Sequence, residues 1–91
     1  MNKLEYKDLI AFHPGYYISE LLKYTGMSQK ELAKQLHTSE QNMIDLINGK
    51  INLSEEIAMH LSIVFGTSVS MWLNLNQNYI EKKLEIENSM R

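Results

Sequence analysis

The sequence predicts an all-α domain of five helices with a helix-turn-helix at its centre. Two observations place that centre between Ser28 and Lys50, in the run SQKELAKQLHTSEQNMIDLINGK. Ser28 and Glu31 form a capping box: the Ser hydroxyl accepts an N–H that no helical carbonyl serves, and the Glu reaches back to the cap. A second start follows at once at Thr38 or Ser39, and Asn48-Gly49 supplies a left-handed stop. Two capped helices this close make a helix-turn-helix. The third observation is the punctuation elsewhere. Gly26 and Gly66 close apolar-periodic stretches, Ser54 and Ser70 open others, and no segment shows a strand's period of two.

In chain order, Met1 to Phe12 mixes charge with the cluster Leu9-Ile10-Ala11-Phe12 and ends just before the only proline. Residues 1–13 read either as a disordered leader or as an N-terminal arm that docks Leu9, Ile10 and Phe12 on the domain, and the cluster favours the arm. Pro14 suits the first turn of a helix, where its missing N–H costs nothing, which puts His13 at or near the cap. Ile18, Leu21 and Leu22 form the buried stripe of this first helix, with Tyr17 beside them. In the second helix Leu32, Ala33 and Leu36 share a face, Ala33 being small where steeply crossing helices approach. In the third, Met43, Leu46 and Ile47 point inward. A short connection follows, anchored by Ile51 and Leu53. The fourth helix opens on Ser54 with Glu55-Glu56 at the positive end of its dipole. It buries Ile57, Ala58, Leu61, Val64 and Phe65. Ser70 caps the fifth, whose apolar positions are Trp72, Leu73, Leu75, Tyr79 and Ile80. Residues 14–80 are the helix-turn-helix domain. Residues 81–91 carry helical charge pairing but little to bury, and read as a helix extension or a tail.

Composition narrows the chemistry. Ninety-one residues suit one domain with one core. Without Cys there is neither a disulfide framework nor a thiolate zinc site. The longest apolar run of the N-terminal segment, Leu9 to Phe12, is far too short for a signal core or a membrane span, so a cytoplasmic protein with no membrane contact is expected. His13, His37 and His60 are widely separated, and no catalytic residue, metal or cofactor is expected. Of the six Met residues, Met27, Met43 and Met71 read as core filling. Nine Lys plus Arg against eleven Asp plus Glu give a net charge of −2. A free-standing DNA-binding domain is typically basic, which argues against tight binding by a monomer.

The run from Ser28 to Lys50 resembles the helix-turn-helix of the phage-repressor-like superfamily. The flanking HPG at His13 to Gly15 and GTSVSMWLNLNQNY at Gly66 to Tyr79 resemble, more narrowly, the HigA antitoxins of toxin–antitoxin operons. Together these motifs cover His13 to Tyr79. The resemblance implies a five-helix repressor-like domain that neutralises a cognate HigB-like toxin, an mRNA endonuclease, and represses its own operon by binding double-stranded operator DNA. It also implies a homodimer formed through the C-terminal helix, with Trp72, Leu75 and Tyr79 at the interface. A repressor without a toxin partner, or a toxin-binding module that has lost DNA binding, are the alternatives.

On that reading the third helix enters the major groove with Glu40, Gln41, Ile44, Asp45 and Asn48 outward. Gln can bond an adenine edge through two hydrogen bonds, an acid can accept from cytosine, and an apolar side chain can meet a thymine methyl. Gln41 is the foremost base reader, with Asn42 beside it. Phosphates would be held by Ser28-Gln29, by Thr38 and Ser39 at the next helix start, and by Lys50. Without the resemblance, the same residues make caps and a solvated helix face. Three residues depart from the family pattern: His37 stands where the turn usually has Gly, and Glu40 and Asp45 put acid on the reading face. Between Ser28 and Lys50 the charges cancel, Lys30, Lys34 and Lys50 against Glu31, Glu40 and Asp45.

Overall fold

A computed structural model describes residues 3–6 and 9–90. Its elements are β1 (Lys3–Tyr6), β2 (Leu9–Phe12), α1 (Pro14–Thr25), α2 (Gln29–Gln35), α3 (Glu40–Ile47), α4 (Glu55–Phe65) and α5 (Val69–Ser89). All five expected helices are present. Each begins where a side chain accepts the N–H two or three residues on: His13 for Gly15, Ser28 for Glu31, Ser39 for Asn42, Ser54 for Ile57 and Ser68 for Met71. The fifth start is a correction, since Ser68 rather than Ser70 is the cap and Ser70 lies inside the first turn. Gly26 and Gly66 end α1 and α4, as the sequence implied, and both do so in the left-handed conformation.

The core gathers one stripe from every helix. Ile18 and Leu22 of α1 meet Leu32, Ala33 and Leu36 of α2 and its cap, Met43, Leu46 and Ile47 of α3, Ala58 and Leu61 of α4, and Trp72 of α5. Leu53 joins them, but its expected companion does not: Ile51 is 39% exposed, and only its backbone is anchored. Met71 is likewise on the surface at 37% exposure, while Met43 is fully buried and Met27 packs at the core's edge. Trp72 is fully buried and its Nε1–H donates to Thr67 Oγ1 at 2.7 Å. It therefore belongs to the monomer's core and is withdrawn from the proposed dimer interface.

Within the expected N-terminal arm, residues 3–6 and 9–12 form a strand pair that the sequence does not announce, residues 1, 2, 7 and 8 of the arm lying outside the described residues. β1 and β2 pair antiparallel with Lys3 opposite Phe12 and Tyr6 opposite Leu9. Leu4, Tyr6, Leu9 and Ala11 alternate toward the protein, and Ala11 is its fully buried member while Ile10, expected to dock, is exposed. Four-residue strands are too short for a period of two to stand out from an apolar cluster. The pair packs on α5. That helix runs unbroken to Ser89, so residues 81–89 are the helix extension rather than a tail, and against expectation it has something to bury, since Ile86 is fully enclosed. A two-stranded sheet is marginal alone, and α5 supplies the surface it needs.

His13 ties three parts of the chain together. Its Nδ1 accepts from Gly15 N–H at 2.9 Å, so Nε2 carries the proton and donates to the Ile51 carbonyl at 2.7 Å. Its ring also meets Tyr79 edge to face at 4.9 Å between centroids. Burial holds its pKa below the ordinary histidine value of 6.5, the Ile51 carbonyl opposing and Lys83 adding to the shift. In the unfolded chain the imidazole binds a proton near that value; in the folded chain it does so only at lower pH. The neutral ring's contribution is therefore complete above pH 6.5 and is lost as pH falls toward the folded pKa. His13→Ala is expected to cost about 1–3 kcal/mol, through the lost cap and the unpaired Ile51 carbonyl. It should also remove this part of the acid sensitivity. Urea unfolding of both proteins above and below pH 6.5 checks it, and parallel losses on acidification would contradict it.

Candidate nucleic-acid interface

The turn between α2 and α3 is made by backbone hydrogen bonding that only a left-handed residue permits. After the α2 cap at Leu36, His37 takes φ 54°. Its N–H donates to the Lys34 carbonyl at 3.1 Å, and Thr38 N–H donates to the Ala33 carbonyl at 3.0 Å. These two bonds satisfy carbonyls that the helix end leaves free. His37 holds a conformation that Gly adopts more readily, and other contacts support it. The His37 ring lies 5.1 Å from that of His60 on α4, and His60 Nδ1 donates to the Leu36 carbonyl at 3.2 Å. Two of the histidines read as widely separated thus meet at the turn. A separation of 24 residues carries no periodic signal that would have paired His60 with Leu36. Among the described residues no group of three or more His, Asp or Glu is placed to hold a metal ion.

The end of α3 repeats the same device. Gly49 has φ 75°, its N–H donates to the Leu46 carbonyl at 3.1 Å, and Lys50 N–H donates to the Asp45 carbonyl at 2.8 Å. Lys50 is therefore fixed by its backbone just beyond the helix, with its side chain exposed. At the other end Ser39 caps α3, accepting from Asn42 N–H at 3.0 Å, and the Asn42 amide donates back to Thr38 Oγ1 at 3.2 Å. Asn42 thus braces the turn, a role its place in the candidate set did not suggest.

Of the candidate residues, Ser28, Gln29, Ser39, Glu40, Gln41, Asn42, Ile44 and Lys50 are exposed, and Thr38 and Asp45 are half-buried. Met43, Leu46 and Ile47 face inward as expected, which leaves Glu40, Gln41, Ile44, Asp45 and Asn48 on the outer side of α3. On that face Gln41 Nε2 donates to Asp45 Oδ1 at 2.9 Å, one helical turn away. The position of α3 is set from behind by α1. Gly15 lies against the backbone at Leu46 and Ile47, closer than any side chain would permit.

A second surface feature lies between α1 and α5. Tyr17, Glu20, Leu21, Tyr24, Met71 and Leu75 line an open, mainly apolar groove of about 600 Å³. Leu75 and Tyr79, the remaining members of the expected dimer interface, are each half-buried. No helix among the described residues is long and apolar enough to cross a membrane.

No family model matches the sequence. The chain is 39% identical over 62 residues to an HTH-type transcriptional regulator of Escherichia coli (strain K12), YddM, covering 68% of this chain and 66% of that protein. It spans about two thirds of the length of the curated relatives it matches. Its fold matches that of an addiction module antidote protein of the HigA family from Coxiella burnetii, with TM-score 0.77, 32% identity and 80% of each chain covered. It also matches the Pseudomonas aeruginosa antitoxin HigA solved with the higBA promoter, with TM-score 0.81, 27% identity and 88% of each chain covered.

Proposed function

The chain belongs to the HigA family of helix-turn-helix antitoxins, and from that premise we propose that it is the antitoxin of a HigBA-type module, a non-enzymatic cytoplasmic protein. In this reading it represses its own operon by placing α3 in the major groove, and it neutralises a HigB-like mRNA endonuclease by binding it. The observation that carries the DNA reading is the outer face of α3. It is capped at Ser39, closed at Gly49, and bears Gln41, Ile44 and Asp45 on its exposed side.

Ser28 and Gln29 at the α2 start, Ser39 at the α3 start and Lys50 after its end are assigned to phosphates, through N–H groups and charge. Because formal charge in this stretch is balanced, phosphate attraction from one copy is weak, and a dimer is the expected binding species. Leu75 and Tyr79 remain candidates for the dimer contact on α5. A dimer would present two copies of α3 to half-sites roughly 34 Å apart. Two substitutions separate reading from positioning. Gln41→Ala should cost about 1–3 kcal/mol on operator DNA and leave binding to random DNA unchanged. Lys50→Ala should weaken both alike and lower the salt slope by about one unit. Fluorescence titrations at two salt concentrations measure this; two variants indistinguishable from wild type on operator DNA would remove α3 as the reader. Copurification with the product of the adjacent reading frame, with mRNA cleavage suppressed, tests the toxin partner, and failure to bind it leaves a repressor alone.

A further inference from the structure

We infer that Asp45 does not read a base itself but fixes how Gln41 presents its amide, so that α3 selects adenine over guanine. The inference rests on the DNA reading above and adds the base it prefers. A primary amide is nearly symmetric in shape, and a free Gln side chain can offer either its oxygen or its nitrogen at a given point. An ionised carboxylate removes that freedom, because it only accepts. With Gln41 Nε2 donating to Asp45 Oδ1 at 2.9 Å, one N–H of Gln41 is committed and the amide cannot turn over without setting its oxygen against a carboxylate.

What remains free is Oε1 and the second N–H of the same nitrogen. Among the described residues Oε1 accepts no hydrogen bond and Asp45 makes no ion pair that would draw it away. An acceptor and a donor side by side match the N6 donor and N7 acceptor of adenine in the major groove. Guanine presents acceptors at both places, so the held Oε1 meets O6 with like partial charge. The pair is spaced i, i+4 on an exposed helix face, where Gln and Asp side chains are neighbours. This also accounts for an acid on a DNA-facing helix: the charge repels phosphate generally but sharpens the choice at one base pair.

The test uses the full chain and duplex DNA from immediately upstream of its own reading frame. Each A·T pair is changed in turn to G·C, and scrambled DNA of the same composition is the control. Wild type should lose about 5- to 150-fold in affinity at one position of each half-site. Gln41→Ala should erase the preference there. Asp45→Asn, which can accept or donate, and Asp45→Ala, which can do neither, should reduce it to within about threefold while tightening binding to scrambled DNA. Unfolding midpoints of the variants confirm that α3 is intact. If Gln41→Ala erases the preference while both Asp45 variants keep it, the orienting role is overturned and the DNA reading stands. If wild type prefers no position at all, the DNA reading itself fails.

Discussion

Replacing Trp72 with alanine is expected to lower the free energy of unfolding by about 3–5 kcal/mol. Folded domains have roughly 5–15 kcal/mol to lose, so the variant gives up a third or more of a typical domain's stability and should unfold at a clearly lower urea concentration. The indole is fully buried in the same cluster as Leu61, Leu32 and Ile18, where α5 packs on α4 and α1. Its removal leaves a cavity that helices held on both sides cannot close, and strips Thr67 Oγ1 of its donor. Trp72→Phe keeps most of the volume and loses the hydrogen bond with a smaller part of the packing, so it should cost less. Urea unfolding followed by circular dichroism measures both. A loss below about 1 kcal/mol for the alanine variant would mean that the ring is not the packed centre described here.

Gly15→Ala carries the opposite sign from the one helix propensity predicts. In an exposed helix the change would stabilise by about 1 kcal/mol. Here a Cβ would lie 2.6 Å from the Ile47 carbonyl oxygen and 2.8 Å from its Cα, and nearer still to the Leu46 carbonyl oxygen. All three are backbone atoms, so no side chain can swing aside; α1 must part from α3. Overpacking of this kind costs about 1–3 kcal/mol and more where backbone meets backbone. At least about 3 kcal/mol is expected at Gly15. Because α3 rests on this contact, affinity for operator DNA should fall with stability. A Gly15→Ala protein as stable as wild type would show that the two helices do not touch.

These two residues also mark what a sequence can disclose. Local chemistry was readable: Ser28, Ser39 and Ser54 cap, Gly26, Gly49 and Gly66 stop, and Met43, Leu46 and Ile47 turn inward, because each depends on neighbours within one or two turns. His37, which takes φ 54°, is marked out only by the family resemblance, since no pattern within one or two turns singles it out. The HPG motif was seen as a family mark, but its physical content emerged only in three dimensions. His13 reaches a carbonyl 38 residues away, and Gly15 is small because α3 passes behind it. The same limit hid the His60 bond to Leu36 and the Gln41 bond to Asp45, the second of which was available in principle from i, i+4 spacing. Ile51 and Met71 are exposed although apolar, because residues in short connections and first turns carry no period to orient them. The strand pair leaves no mark in the sequence because its apolar residues are divided between two short strands that only pairing and α5 make stable.

If α3 reads bases through its outer face, this chain distinguishes one DNA sequence from others. Equilibrium titration of the wild-type protein, at physiological salt, on DNA from upstream of its own reading frame and on a scrambled duplex tests it most directly. The expected result is a preference of about 10³-fold or more for the native sequence, with both affinities falling as salt rises. Equal affinities for the two duplexes would contradict it, and would leave the fold as a platform for protein partners alone.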